Sequence, residues 1–434
     1  MTLLTIGILG VAIMIALIVI GMPIGFALAV VGIGGNLALL GFGPTSAQVG
    51  LVAWESGSNF LLISAPLFIF MGQLVFHTRI AADLYDCVYK WAGRMPGGIA
   101  VTATATSAGF GAITGSSIAA VATVGSMVMP EMRRLNYDPK LAAGSVASGG
   151  TLAILIPPSF VMIVYGVWTE TSIGHLFIAG ILPGIILAAG FVALIITRCV
   201  IDPKLGPKGP HFSWRDRFIS LWKLLPPLFV FMVVIGGIYG GVFTATEASA
   251  IGAIGVVIVA AGMRRLSWDA LKKSLSEAGY TCAMIFIIIV GGALVSRFLV
   301  LTGLSQAIVE SIGGLGLGPT GFLLALIVLY LILGCMLDTL GILILTLPFV
   351  MPVISSLEIN TVWFGVFITV MIELALVTPP VGLNVYVLNN VSPDVKISDI
   401  FAGCLPFTLV MLGFVLLLIA FPEIALWLPA QMGN

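Results

Sequence analysis

Apolar residues run along this chain in continuous blocks near twenty residues long, interrupted by glycine and proline rather than by regular alternation with charge. Blocks of that length and polarity predict membrane-spanning helices, not the short alternating segments of an outer-membrane barrel. Residues 3 to 42 are too long for one crossing, and Gly21-Met-Pro-Ile-Gly25 breaks them, so two helices are expected there. A third is expected over 60 to 78. Residues 79 to 95 interleave Arg79, Lys90 and Arg94 with apolar positions, the pattern of an amphipathic helix lying on the membrane surface. Crossings follow over 141 to 166, interrupted by Ile156-Pro-Pro158, and over 176 to 199. A polar linker, 201–223, carries Lys204, Lys208, Arg215 and Arg217.

Between Pro96 and Glu131 there is no charge, yet Gly109-Phe-Gly-Ala-Ile-Thr-Gly-Ser-Ser117 breaks the apolar run at its centre. Each arm, about thirteen residues at a rise of about 1.5 Å, reaches roughly 20 Å, short of the ~30 Å hydrocarbon core. A re-entrant hairpin is therefore expected. Its non-helical tip should line a site, because irregular backbone at membrane depth is tolerated only where protein buries it or it borders a cavity.

The second half repeats the first. Pro130 to Pro157 is the same separation as Pro352 to Pro379, and each second proline is followed by another, Pro158 or Pro380. More loosely, Arg94-Met-Pro-Gly-Gly98 matches Gly318-Pro-Thr-Gly321, and Phe177-Ile-Ala-Gly-Ile-Leu-Pro183 matches Ile400-Phe-Ala-Gly-Cys-Leu-Pro406. The second tip then falls at Gly334-Cys-Met-Leu-Asp-Thr339. The expected organisation is a first repeat over 1–200, with scaffold helices 1–60, hairpin 98–132 and broken helix 141–166. After the linker 201–223 comes a second repeat over 224–434, with scaffold helices 224–263, hairpin 321–354 and broken helix 363–390. About five crossings plus one hairpin per half make these inverted-topology repeats of an all-α polytopic membrane protein.

Charge placement supports that parity. If the central linker is cytoplasmic, 17 of the 18 Lys and Arg residues fall in cytoplasmic segments or at their edges. Both termini are then outside, and the two hairpins enter from opposite faces. The exception, Arg297, sits within a crossing and is expected to snorkel outwards rather than pair with a carboxylate. The chain is 60% hydrophobic and 8% charged with zero formal net charge, which excludes a soluble or nucleic-acid-binding protein. No cleavable signal peptide is expected, since Met1 to Leu4 lacks a basic region. The five cysteines are single and without metal-ligand spacing, so they are expected to be core residues.

Several catalytic readings fail. Gly109 to Gly115 lacks the dinucleotide-fingerprint spacing, no Walker A sequence is present, and no histidine falls at midplane to activate a serine. No enzyme activity is expected. The eight tryptophans lie near segment ends, as interfacial anchors would.

Two tips and two Pro-Pro breaks, duplicated in register, offer free carbonyls beside Ser116, Ser117, Asp338, Thr339 and Thr378, hard oxygen ligands suited to sodium. Helix N-termini at the tips favour a carboxylate. Asp338 is the sharpest candidate, because an ionised carboxylate at midplane costs about 2.5 to 3.5 kcal/mol on insertion scales unless compensated. Glu373 reads as a helix contact or as an ion- or proton-coupling group. Glu247 reads as a helix cap.

The runs Gly21-Met-Pro-Ile-Gly-Phe-Ala-Leu28, Pro66-Leu-Phe-Ile-Phe-Met-Gly72, Gly111 to Met132, Gly149 to Pro158, Thr244-Ala-Thr-Glu-Ala248, Gly334 to Pro352 and Val377-Thr-Pro-Pro-Val-Gly382 resemble the large membrane subunit of tripartite ATP-independent periplasmic (TRAP) transporters. Ala245 stands where that family often has proline. The resemblance implies an inner-membrane secondary importer of organic acids, coupled to sodium and working by an elevator motion. It also implies a small four-helix membrane subunit, here a separate polypeptide, and a soluble periplasmic binding protein. No cofactor beyond the coupling ions is implied. Ions would sit at Gly115, Ser116 and Ser117 with Ile156 and Pro157, and at Cys335, Asp338 and Thr339 with Thr378 and Pro379. A small carboxylate substrate would lie between, near Thr114, Ser117, Pro158, Thr339, Pro380 and Asn384. The alternatives are a stand-alone sodium/dicarboxylate symporter and, from another class, a membrane-embedded enzyme or receptor.

Overall fold

A computed structural model describes residues 2–78, 80–314, 316, 318–334 and 337–432, and among these every regular element is a helix. Among the described residues eight helical segments are long and apolar enough to cross a membrane. The first two, Leu3–Val19 and Ile24–Leu40, divide where Gly21 takes a φ of +96° that other residues avoid. Ser64–His77 follows a short 3-10 turn, and Ile80–Ala92 forms the amphipathic helix. Between Ile24–Leu40 and Ser64–His77 the chain holds a helix that the sequence pattern does not predict, Phe42–Gly57, whose apolar signal is diluted by Thr45, Ser46, Gln48 and Glu55.

The hairpin is Gly98–Thr114 and Ser117–Arg134, two helices that pack on each other. The first broken helix has more pieces than expected, Pro139–Gly149, Leu152–Leu155 and Phe160–Thr169, because Gly149-Gly150 adds a break ahead of the prolines. Ile173–Ile201 completes this half. Trp214–Tyr239 begins inside the stretch read as linker, capped by Ser213. Ala245–Gly262 opens on a full capping box, in which Thr244 N donates to Glu247 (2.8 Å) and Glu247 N to Thr244 Oγ1 (3.3 Å), so Glu247 is the cap it was expected to be. Trp268–Leu301 and Leu304–Gly314 lead to the second helix pair, Pro319–Leu333 and Thr339–Ser356. The second broken helix is Thr361–Ala375 and Leu383–Val391, followed by Ile397–Ala420.

The two broken helices lie antiparallel. Asn384, after the second break, donates to the Ala147 carbonyl before the first (3.2 Å), while Tyr165, after the first break, donates to the Thr361 carbonyl before the second (2.7 Å). Inverted repeats produce this pairing. They form the centre of the protein: 89% of the most apolar stretch of Pro139–Thr169 is buried, against 28% for Trp214–Tyr239 at the periphery. Ile24–Leu40 and Ser64–His77 both pack along Trp268–Leu301, and Ile397–Ala420 packs on Pro139–Gly149.

Two expectations are corrected. Arg297 does pair with a carboxylate: its Nη2 sits 3.1 Å from Glu55 Oε2 on the unanticipated helix, a half-exposed pair. Nor is every tryptophan interfacial. Trp363 is buried, stacks on Phe367 and donates its ring N–H to the Leu418 carbonyl (3.2 Å), which satisfies the only polar atom that would oppose burial.

Candidate substrate and ion site

At the first tip, Gly115 turns the chain with a φ of +61° and its N–H still bonds the Gly111 carbonyl (2.7 Å). Ser116 is the N-cap of the returning helix, its hydroxyl accepting from Ala119 N (3.3 Å). A Cβ on Gly115 would stand 2.6 Å from the Pro158 carbonyl oxygen, so the tip rests directly on the first Pro-Pro break. There Ile156 is extended, Pro157-Pro158 is cis, and Ser159 caps the continuation by accepting from Met162 N (3.4 Å). Pro157, Pro158 and Ser159 are buried. Thr114 spends its hydroxyl hydrogen on the Phe110 carbonyl (3.1 Å), the ordinary back-bond of a helical threonine.

The second tip repeats the capping. Asp338 is the N-cap of Thr339–Ser356, and its Oδ1 accepts from Gly341 N (3.0 Å). An acceptor at this position completes orphan N–H groups and meets the positive end of the helix dipole, which explains why a carboxylate is tolerated. Asp338 also borders a cavity of about 300 Å³ lined by Gly21, Met22, Pro23, Met284 and Ile288. The first helical break of the chain thus faces the second tip, a relation invisible in the sequence. Gly334 is held tightly, since a Cβ there would meet Ala375 Cβ at 2.1 Å. Thr339 is buried, and Cys335 lies outside the described residues. At the second break Thr378 back-bonds to the Leu374 carbonyl (2.6 Å), Pro379-Pro380 is cis, and both prolines are exposed.

The halves meet at Asn384. Fully buried, it donates to Ser117 Oγ (2.8 Å), joining the helix after the second break to the first tip. Glu373, one turn before that break, is 1% exposed, and its carboxyl faces the same Ser117 hydroxyl without the geometry of a formed hydrogen bond. The expected site residues therefore fall into a closed group, Thr114, Gly115, Ser116, Ser117, Ile156, Pro157, Pro158 and Asn384, and a more open one, Asp338, Thr378, Pro379 and Pro380, with Thr339 buried beside Asp338. Two tips and two breaks can supply oxygen ligands from caps and carbonyls, and among the described residues no cluster of His, Cys, Asp and Glu forms a conventional metal centre. The family model for the DctM component of the tripartite ATP-independent periplasmic transporter matches residues 11–424. The chain belongs to this family.

Among TRAP relatives, the C4-dicarboxylate large permease protein DctM of Pseudomonas aeruginosa is 34% identical over 93% of this chain and 94% of its own length. The ectoine large permease protein TeaC of Halomonas elongata is 32% identical over 96% of this chain and 97% of its own. The isethionate permease protein DctMQ of Oleidesulfovibrio alaskensis is 30% identical over 94% of this chain but 64% of its own length. The fold alone is shared with the YdaH transporter of Alcanivorax borkumensis, at a TM-score of 0.62 and 12% identity over 89% of this chain and 90% of that one. This TRAP permease is thus a multi-pass helical membrane protein whose inverted repeats carry the hairpins and breaks just described.

Proposed function

We propose that this permease imports an organic acid across the inner membrane, coupled to sodium, with its hairpins and broken helices moving as an elevator against the remaining helices. The observation that carries the reading is the paired set of tips and breaks, one pair closed on itself and the other open. A carrier that alternates between faces needs two such half-sites in different states. Sodium is favoured by the ligand chemistry: serine and threonine hydroxyls, an aspartate cap and carbonyls at Pro-Pro breaks are hard oxygen donors. An organic acid is favoured by the helix N-termini at both tips and by the C4-dicarboxylate and isethionate for which two relatives are named. We assign the two repeats to 1–200 and 224–434, the re-entrant hairpins to opposite faces, and both termini to the periplasm, on the distribution of Lys and Arg.

A small four-helix membrane subunit and a periplasmic binding protein would complete the system. The greater length of the DctMQ relative, of which this chain covers 64%, leaves room for such a subunit in one polypeptide. The test is uptake of radiolabelled organic acids into proteoliposomes under an inward sodium or choline gradient. Uptake that needs sodium and both partner proteins is the expected result. Sodium-driven uptake by the chain alone would make it a stand-alone symporter, and a unitary conductance in planar bilayers would make it a channel.

A further inference from the structure

We propose that Glu373, Ser117 and Asn384 form a monovalent-cation site that bridges the first hairpin tip and the second broken helix, in addition to the ions expected at the two tips. The inference rests on the sodium-coupled reading and adds a residue-level ligand set to it. Glu373 sits at the end of Thr361–Ala375 with 1% exposure, and neither Oε1 nor Oε2 has a hydrogen-bond partner. Asn384 is wholly buried, and its Oδ1 is likewise unpartnered, while its Nδ2 is committed to Ser117 Oγ (2.8 Å) and the Ala147 carbonyl (3.2 Å). No described Lys, Arg or His pairs with Glu373 among the ion pairs of the protein.

These side chains leave three acceptor atoms without a formed hydrogen bond, in a place closed to solvent where the Ser117 hydroxyl is the donor that faces the carboxyl. Buried acceptors are almost always satisfied, and a buried carboxylate requires a compensating charge. A proton on Glu373, with the Ser117 hydroxyl hydrogen beside it, would furnish two donors for three needy oxygens. A sodium-sized ion takes several oxygens at once, and the Ser117 hydroxyl, already accepting from Asn384, adds another lone pair facing the carboxyl. The ligands come from opposite repeats. An ion held among them therefore locks the first tip to the second break, and its release frees the one against the other.

The test measures equilibrium binding of radioactive sodium to the purified permease, with its small subunit, in lipid nanodiscs, alongside thermal unfolding in sodium chloride and in choline chloride. E373Q is expected to bind one ion fewer than wild type and to lose part of the sodium-induced rise in Tm. Asp338→Asn should remove a different ion, and the double variant both. Should E373Q not fold, Asn384→Ser is read instead, with sodium affinity expected to fall about ten- to a hundredfold, as for loss of a supporting ligand. Sodium binding in E373Q, or in N384S if that is the variant read, equal to wild type overturns the site. So does a protonated-carboxyl infrared band that persists in saturating sodium and vanishes in E373Q, which would assign a proton. Wild type that binds no sodium would instead overturn the sodium-coupled reading, and the site with it.

Discussion

The two half-sites share a plan and differ in state. At the first, Gly115 lies on the Pro158 carbonyl, Pro157 and Pro158 are buried, and Ser117 is tied to Asn384 from the other repeat. At the second, Pro379 and Pro380 are exposed and the Asp338 cap borders a cavity. The caps differ in kind as well: a neutral serine where the tip is closed, a carboxylate where it is open. Identical motifs therefore do not make identical sites. What decides is whether a neighbouring segment covers the break, and that is set by contacts between segments far apart in the chain, Gly115 on Pro158 and Ser117 with Asn384.

The largest effect should come from closing off the first tip's freedom to pack. Gly115→Ala places a Cβ 2.6 Å from a backbone oxygen and keeps a left-handed φ, so the tip must part from its break. Backbone strain alone costs about 1–3 kcal/mol before any clash, and loss of monodisperse protein by size-exclusion chromatography is the expected outcome. At the second break Gly382→Ala also meets a positive φ, but its nearest obstacle is the Phe401 ring at 2.9 Å, a side chain that can shift. That variant should remain folded, and equal damage from both would erase the asymmetry.

Next in size is the contrast between caps. Asp338→Ala is expected to abolish sodium-dependent uptake with expression largely intact, whereas Ser116→Ala, which removes a neutral cap and one hydroxyl expected at the first-tip ion, should cost about 1 kcal/mol of stability and weaken sodium dependence without abolishing it. Undiminished sodium dependence in Asp338→Ala would remove that carboxylate from the ion path. Smaller again is Asn384→Ala, which deletes the bridge to Ser117 and is expected to lower thermal stability by about 1–3 kcal/mol through the buried groups left unpaired. Differential scanning fluorimetry in sodium and in choline would read it, and an unchanged Tm would show that the two repeats do not need this link.

Much of this arrangement was legible in the chain. The duplicated Pro-Pro spacing located both breaks, the glycine- and hydroxyl-rich interruption located the first tip, and Thr244 with Glu247 gave a helix start by local pattern alone. What stayed hidden depends on distant partners. Glu55 and Arg297 are 242 positions apart, and only packing of Phe42–Gly57 against Trp268–Leu301 brings them together. Trp363 near a helix start looked interfacial until the Leu418 carbonyl supplied its partner. Glu373 carried no signal that distinguished a helix contact from a site, because its meaning lies in Ser117 across the repeat boundary. Local periodicity reports which faces are apolar, not which of two similar breaks another helix covers.

The least disruptive change probes how the closed half is anchored. The polar segment after Ile201 clamps the base of the first hairpin: Gly97 N donates to the Gly206 carbonyl (3.1 Å), Asp138 N to the Leu205 carbonyl (3.0 Å), and the Tyr137 hydroxyl to the Pro207 carbonyl (2.8 Å) while accepting from Ile99 N (3.1 Å). Burial pushes the Tyr137 phenol up to about 12 from an ordinary 10.0, so it remains a donor throughout the working range of pH. Tyr137→Phe leaves both backbone groups without this partner and should cost about 1 kcal/mol, seen as faster amide exchange at Ile99. The phenol of the unfolded chain ionises above pH 10 while the folded one still holds its proton, so the unfolded state binds fewer protons and stability from this group falls as pH rises from 10 towards 12. The gap between wild type and Tyr137→Phe is accordingly widest below pH 10 and narrows above it. A gap that stays constant across that window would mean the clamp is held by the backbone bonds alone, and that the first hairpin is anchored at its tip rather than at its base.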